Sequence, residues 1–252
     1  MNDPSQPLER ELARIAGLGF ALVDLTLEPQ GAWPVDAAEV RRWLDENGLA
    51  AVGHTAPFLP LASAYPELER AGRDLYVRTC EVFAELGVTL VNLHPASRGL
   101  RGKDAVERNA EAVAEVAARA AELGQTVMVE NMGYSFNTPD ELAPLLDAAP
   151  NVRFHLDVGH ANIRPQGQPN RLPALLDAFA DRIAHVHAHD NKGRYDEHLP
   201  LGVGNVDWPA AVRAVRETGY DGTVTLEVFA DEPAYTEASR RLWLGWWDAY
   251  PE

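Results

Sequence analysis

Short apolar runs alternate with helix-like stretches along this chain, and nearly every run ends in a side chain that can bind a metal. The runs are LAAVGH, ending at His54, VTLVNLH at His94, VMVE at Glu130, VRFHLD at Asp157, IAHVH at His187 and VTLE at Glu227. Each is brief and rich in β-branched residues, as strands buried on both faces are. Strand-then-helix alternation specifies an α/β fold with a parallel sheet. In a closed parallel barrel the C-terminal strand ends meet on one face. The pattern therefore predicts several ligands around one point.

Helices are expected from about Pro7 to Leu18, Asp36 to Asn47, Pro66 to Leu86 and Lys103 to Leu123. In the last of these, Ala110, Val113, Ala114, Ala117, Ala120 and Ala121 recur at the spacing of a buried face. Gly48, Gly87, Gly124 and Gly219 each stand where a helix must stop before a strand, the place for a left-handed C′ residue. The single cysteine, Cys80, shares a helical face with Val77 and Ala84 and reads as a small core residue.

The expected architecture is a (β/α)8 TIM barrel formed by one domain over residues 1–252, since such barrels need about 250 residues. Only seven strands can be counted, so the first barrel strand is short or missing at the N-terminus. Another segment or a partner would then fill the gap, or the native start lies upstream of Met1. A doubly wound open sheet is the alternative. It calls for a glycine-rich turn after the first strand, where this chain has DLTLEPQGAWP. No apolar run is long enough to span a membrane and the first residues lack a signal-peptide pattern, so a cytoplasmic protein is expected. The formal net charge is −16 and no basic stripe is visible, which argues against nucleic acid as a partner.

Glu130, Asp157 and Glu227 at strand ends would repel one another unless a cation holds them. In LDVGHAN, His160 follows Asp157 by three residues and can reach the same site. The densest segment is HVHAHDNKGRYDEHLPLGVG. There His185, His187 and His189 alternate on one face, with His185 the deeper, core-like member. Asp190, Asp196 and His198 lie in the loop that follows. His54 and His94 are each followed by a nearby proline that stiffens the chain. Imidazole together with carboxylate suits Zn or Mn first, with Co or Fe next.

These residues carry a family likeness. VENMG, LDVGHAN, HAHDNKGRYDEHLPLGVGNVDW and TLEVF resemble the xylose-isomerase-like TIM-barrel superfamily, over roughly Leu8 to Trp246. That superfamily holds sugar and sugar-phosphate isomerases and epimerases together with endonuclease IV. Resemblance to the ketose epimerases implies one metal on Glu130, Asp157, His187 and Glu227, with Glu130 and Glu227 also moving protons at the substrate's carbinol carbon. Resemblance to endonuclease IV implies up to three metals on nine ligands. These are His54, His94, Glu130, Asp157, His160, His187, Asp196, His198 and Glu227. Against DNA, the loop after His54 reads TAPFLPLASAYP, with no basic residue.

Three functions follow as expectations. The first is a metal-dependent isomerase or epimerase of a small sugar, polyol or sugar phosphate. Glu130 and Glu227 would be catalytic, and His160, Asp190 and Lys192 would contact substrate. The second is a multi-zinc phosphodiesterase. The third is a barrel that only binds a ligand or partner. For this last reading the tail RRLWLGWWDAY places Trp243, Trp247 and Tyr250 on one helical face, which packs the last helix or makes a homodimer contact.

Overall fold

The computed structural model describes residues 1–27, 36–96 and 98–250. Their contacts form two compact units. The first comprises Met1–Glu130 with Ala143–Arg153, the second Asn131–Leu142 with Phe154–Glu252.

In the first unit, α1 (Leu8–Gly17), α2 (Ala37–Glu46), α3 (Pro66–Glu85) and α4 (Gly102–Glu122) alternate with β1 (Leu22–Thr26), β2 (Ala50–His54), β3 (Leu90–Leu93) and β4 (Thr126–Glu130). The strands pair in parallel and in chain order, with Thr26 beside His54, Gly53 beside Val91, and Leu93 beside Val129. Every helix boundary agrees with the sequence expectation to within a residue or two. Asp36 caps α2 by accepting a hydrogen bond from the Glu39 N–H. The stop glycines have the expected left-handed backbone: φ is 63° at Gly48, 75° at Gly87 and 73° at Gly124.

One helix face differs from expectation. On α4 the buried residues are Ala105, Asn109, Ala112, Val113, Val116, Ala117 and Ala120. Ala110 and Ala114 are half-buried and Ala121 is exposed. Alanine occurs on both flanks of the stripe, so periodicity alone leaves the helix rotation loose. Asn109 sets it, donating from Nδ2 to the carbonyls of Ala105 (2.7 Å) and Ala96 (2.9 Å). Cys80 is fully buried, as expected, and burial pushes its thiol up to about 12.

In the second unit, β6 (Ile183–Ala188) lies parallel between β5 (Val152–Asp157) and β7 (Thr223–Leu226). A short helix α6 (Val158–Asn162) follows β5 directly, since Asp157 both ends the strand and caps the helix. Then come α7 (Leu172–Phe179), α8 (Trp208–Glu217) and α9 (Pro233–Asp248). Helix α5 (Pro139–Leu146), which precedes β5 in the chain, contributes residues 139–142 to this unit and 143–146 to the first. The aromatic tail packs within this unit. Trp243 is buried with its ring 6.1 Å from that of Trp208, and Trp247 stacks on Trp243 while Arg216 sits over it.

Seven strands are present among the described residues, the number counted in the sequence. Residues 28–35, where an open sheet would carry its glycine-rich turn, lie outside those described. Among the described residues no helix is long and apolar enough to cross a membrane.

Candidate metal centre

Six of the nine predicted ligands sit at or just beside the C-terminal end of a strand. His54, Glu130 and Asp157 are the last residues of β2, β4 and β5, and His187 is the penultimate residue of β6. His94 and Glu227 follow β3 and β7 by one residue. The main chain of Glu227 still continues the ladder, its N–H donating to the Ala188 carbonyl at 3.1 Å.

In the first unit, His54, His94 and Glu130 bring one ligand atom apiece to within 4.8 Å of one another. His94 Nε2 lies 3.1 Å from Glu130 Oε2, and both side chains are buried. Asn92 Nδ2 donates to the same Glu130 oxygen at 2.7 Å. Sequence reasoning passed over Asn92. The signal was present, because it stands two residues before His94 in an apolar run and so faces the same way.

In the second unit, Asp157, His187 and Glu227 form a buried group. His187 Nδ1 lies 3.1 Å from Glu227 Oε2 and 3.8 Å from Asp157 Oδ2. Asp157 Oδ1 accepts the His160 N–H at 2.7 Å, while Asp157 Oδ2 is buried without a hydrogen bond. Asn131 clasps the end of β5, donating to the Asp157 carbonyl at 2.9 Å and accepting its N–H at 2.8 Å. A buried carboxylate oxygen with no donor is costly, and a divalent cation is the partner that a carboxylate, an imidazole and a second carboxylate would share. The residues therefore fit the ion that the resemblance implies.

His160, His189, Asp196 and His198 form a further group in this unit, with ligand atoms within 4.8 Å of one another. Asp196 stands between two histidines, its Oδ2 3.1 Å from His160 Nε2 and its Oδ1 3.2 Å from His198 Nε2. His160 Nδ1 is 2.9 Å from the Asn131 carbonyl and His198 Nδ1 is 3.0 Å from the Glu227 carbonyl. Burial disfavours a charged His198. The Asp196 hydrogen bond and the nearby Glu227, Asp196 and Asp157 carboxylates outweigh it and raise its pKa to about 9. Burial likewise works against an ionised Asp196, but its two histidines hold it below the usual carboxylate range. His198 has φ of 46°, a conformation that costs an ordinary residue about 1 kcal/mol or more and clusters at functional sites. His189 received no role from the sequence, yet it is fully buried beside this group.

Two of the expected substrate contacts, Asp190 and Lys192, follow β6. Asp190 is buried, and its carboxylate is taken up by the loop. Oδ1 accepts the N–H groups of Asn191 (2.9 Å) and Val206 (3.2 Å), and Oδ2 those of Gly202 (2.8 Å) and the Trp208 indole (3.0 Å). A β-carbon on Gly204 would stand 2.2 Å from Asp190 Oδ1, so the glycine leaves room for this clasp. Lys192 is exposed, with its ammonium 3.8 Å from Glu197. His185 behaves as the core residue expected, each ring nitrogen within 3.1 Å of a threonine hydroxyl, Thr223 or Thr225.

Known proteins share this plan. The sequence model of a family described as a xylose isomerase-like TIM barrel matches residues 12–245. The chain belongs to that family. A ketose 3-epimerase of Arthrobacter globiformis is 30% identical over 250 residues, covering 91% of this chain and 81% of the relative. An uncharacterized protein of Methanocaldococcus jannaschii is 33% identical over 128 residues, 48% of this chain and 43% of that one. A solved D-tagatose 3-epimerase-like protein superposes with a TM-score of 0.82 at 24% identity, covering 97% of this chain and 96% of the other. Membership and superposition establish the TIM-barrel fold, and the seven strands agree with a first strand that is short or missing.

Proposed function

We propose that this protein is a metal-dependent epimerase or isomerase of a small ketose, related polyol or sugar phosphate. The observation that carries the reading is the buried Asp157–His187–Glu227 group, with its carboxylate oxygen lacking a hydrogen-bond donor, in a chain related to a ketose 3-epimerase. Glu130 joins that group as fourth ligand on the strength of the sequence resemblance. Zinc or manganese, bound there, would polarise a carbonyl and a neighbouring hydroxyl oxygen of the sugar. The carboxylates of Glu130 and Glu227 then exchange the proton of one carbinol carbon, one as base and the other as acid, each contributing about 10²–10⁴-fold. Asn92 holds Glu130 by Oε2 and His187 lies against Glu227 Oε2, so each carboxylate is oriented before substrate arrives. His160, at the edge of the same group, is a candidate for a substrate hydroxyl contact.

The test is Glu130→Gln and Glu227→Gln, assayed on a panel of ketoses and their phosphates with circular dichroism as a control for folding. Turnover should vanish in both while the fold survives. Normal epimerase activity in both variants would sink the proposal. A second reading, a multi-zinc phosphodiesterase, is favoured by the further groups of His54 with His94 and of His160 with Asp196 and His198. It requires tightly held ions beyond the first and cleavage of a phosphodiester substrate.

A further inference from the structure

The loop after β4 is more firmly built than a connection requires. Residues 131–138 join β4 to α5, and the Met132 N–H closes them into a turn on the Phe136 carbonyl at 3.2 Å. Asn137 anchors this turn. Its Nδ2 donates to the carbonyls of His160 (2.9 Å) and Ile163 (3.4 Å), and its Oδ1 accepts from Asn131 Nδ2 at 3.2 Å. Its N–H donates to Glu141 Oε2 at 3.1 Å. Phe136 is buried with φ of 51°. A bulky side chain adopts that left-handed backbone only where its surroundings hold it, and such positions cluster at ligand sites.

What this loop displays is Tyr134, whose side chain is 70% exposed. Its phenol oxygen accepts the Asp196 N–H at 3.1 Å. Tyr220 and Tyr76 do the opposite, donating to the carbonyls of Thr223 (2.7 Å) and Leu59 (3.4 Å). A phenol has one proton to give, and those two direct it into the main chain, as structural hydroxyls do. Tyr134 uses a lone pair instead, and no described residue accepts its proton. The hydroxyl is thus fixed in place with its donor facing solvent. Its surroundings connect it to the candidate site. Asp196 Oδ2 lies 3.1 Å from His160 Nε2, and His160 Nδ1 lies 3.3 Å from Asp157 Oδ2. The phenol therefore stands at the outer end of a line of contacts that leads to the buried Asp157–His187–Glu227 group.

We propose that Tyr134 is a specificity-determining residue that donates its phenol proton to a hydroxyl oxygen of the sugar, on a carbon other than the one epimerised. The inference rests on the reading of this site as that of a sugar epimerase. A neutral donor held by a main-chain N–H suits an uncharged oxygen, and a few such placed groups are what orient a small ligand in a pocket. The contact is the same before and during proton transfer. It therefore strengthens binding without speeding the chemical step.

Tyr134→Phe in the full-length, metal-loaded protein tests this, because it removes the hydroxyl and keeps the ring. KM for the preferred ketose should rise about 3–10-fold, the worth of one net hydrogen bond, with kcat within about twofold. The urea midpoint should not move. A set of monodeoxy ketoses then locates the contact: for one of them, wild type and variant should share the same KM. An unchanged KM for every ketose overturns the proposal. So does a loss confined to kcat, which would mean that the hydroxyl acts only by placing Asp196. Calorimetric titration with ketohexoses and the corresponding hexitols decides without turnover. A 3–10-fold weaker Kd in Tyr134→Phe supports the contact, and equal affinity, or no binding by the wild type, overturns it. Failure of the epimerase reading shows separately, as a wild type that binds these sugars and converts none.

Discussion

Replacing Asp190 by alanine should destabilise the protein by about 3–5 kcal/mol, at the far end of what single substitutions do. The magnitude follows from the donors left behind. Asp190 accepts the N–H groups of Gly202 and Val206 and the indole N–H of Trp208, besides that of its neighbour Asn191. An unsatisfied buried donor costs about 1–3 kcal/mol. Trp208 is 1% exposed, so its indole meets the upper part of that range. Gly202 and Val206 lie nearer solvent, where water partly replaces the lost acceptor, and about 1 kcal/mol each is reasonable. Urea unfolding followed by circular dichroism measures the sum. Trp208→Phe removes the costliest donor, so in that background Asp190→Ala should cost about 1–2 kcal/mol less. A single-mutant loss under about 1 kcal/mol, or strict additivity in the cycle, would refute the clasp and return Asp190 to candidacy as a substrate contact.

Asn92→Leu should leave the fold intact yet lower kcat by about 10–100-fold, because the amide that orients Glu130 Oε2 is lost; an unchanged kcat would dismiss that role. Glu69 is a hub on α3, bonded to the Ser63 N–H, Arg73 and Arg108. Burial works against its charge, but the Arg108 hydrogen bond, the Ser63 amide and the two guanidinium charges hold its carboxyl below the ordinary 4.5. A depressed folded pKa contributes stability that is present above about 4.5 and lost as pH falls through the folded value. The stability gap between wild type and Glu69→Gln should therefore narrow on acidification, and a gap that widens would contradict the assignment.

The strand ends were legible because their signals are local. A β-branched run closed by His, Asp or Glu marks both an element and its end, and the stop glycines at Gly48, Gly87 and Gly124 mark the helix ends between them. The α4 face was less legible, since a stripe of alanines looks alike from either flank.

The sequence by itself determined the alternation, the family and the polar side chain that closes each strand. Those rest on propensity and on periods of two and 3.6, which act over a few residues. Only the tertiary structure decided what each polar side chain does. Asp190 clasps its loop because, among other donors, Trp208 reaches it from 18 positions away. The rings of His160 and His198 are oriented by carbonyls 29 positions distant, which lie 2.9 and 3.0 Å from their Nδ1 atoms. His189 is fully buried in the space that Gly159 leaves for its ring. Hydrogen-bond partners so far apart along the chain leave no spacing to read. Their roles exist only once strands and loops have been brought together.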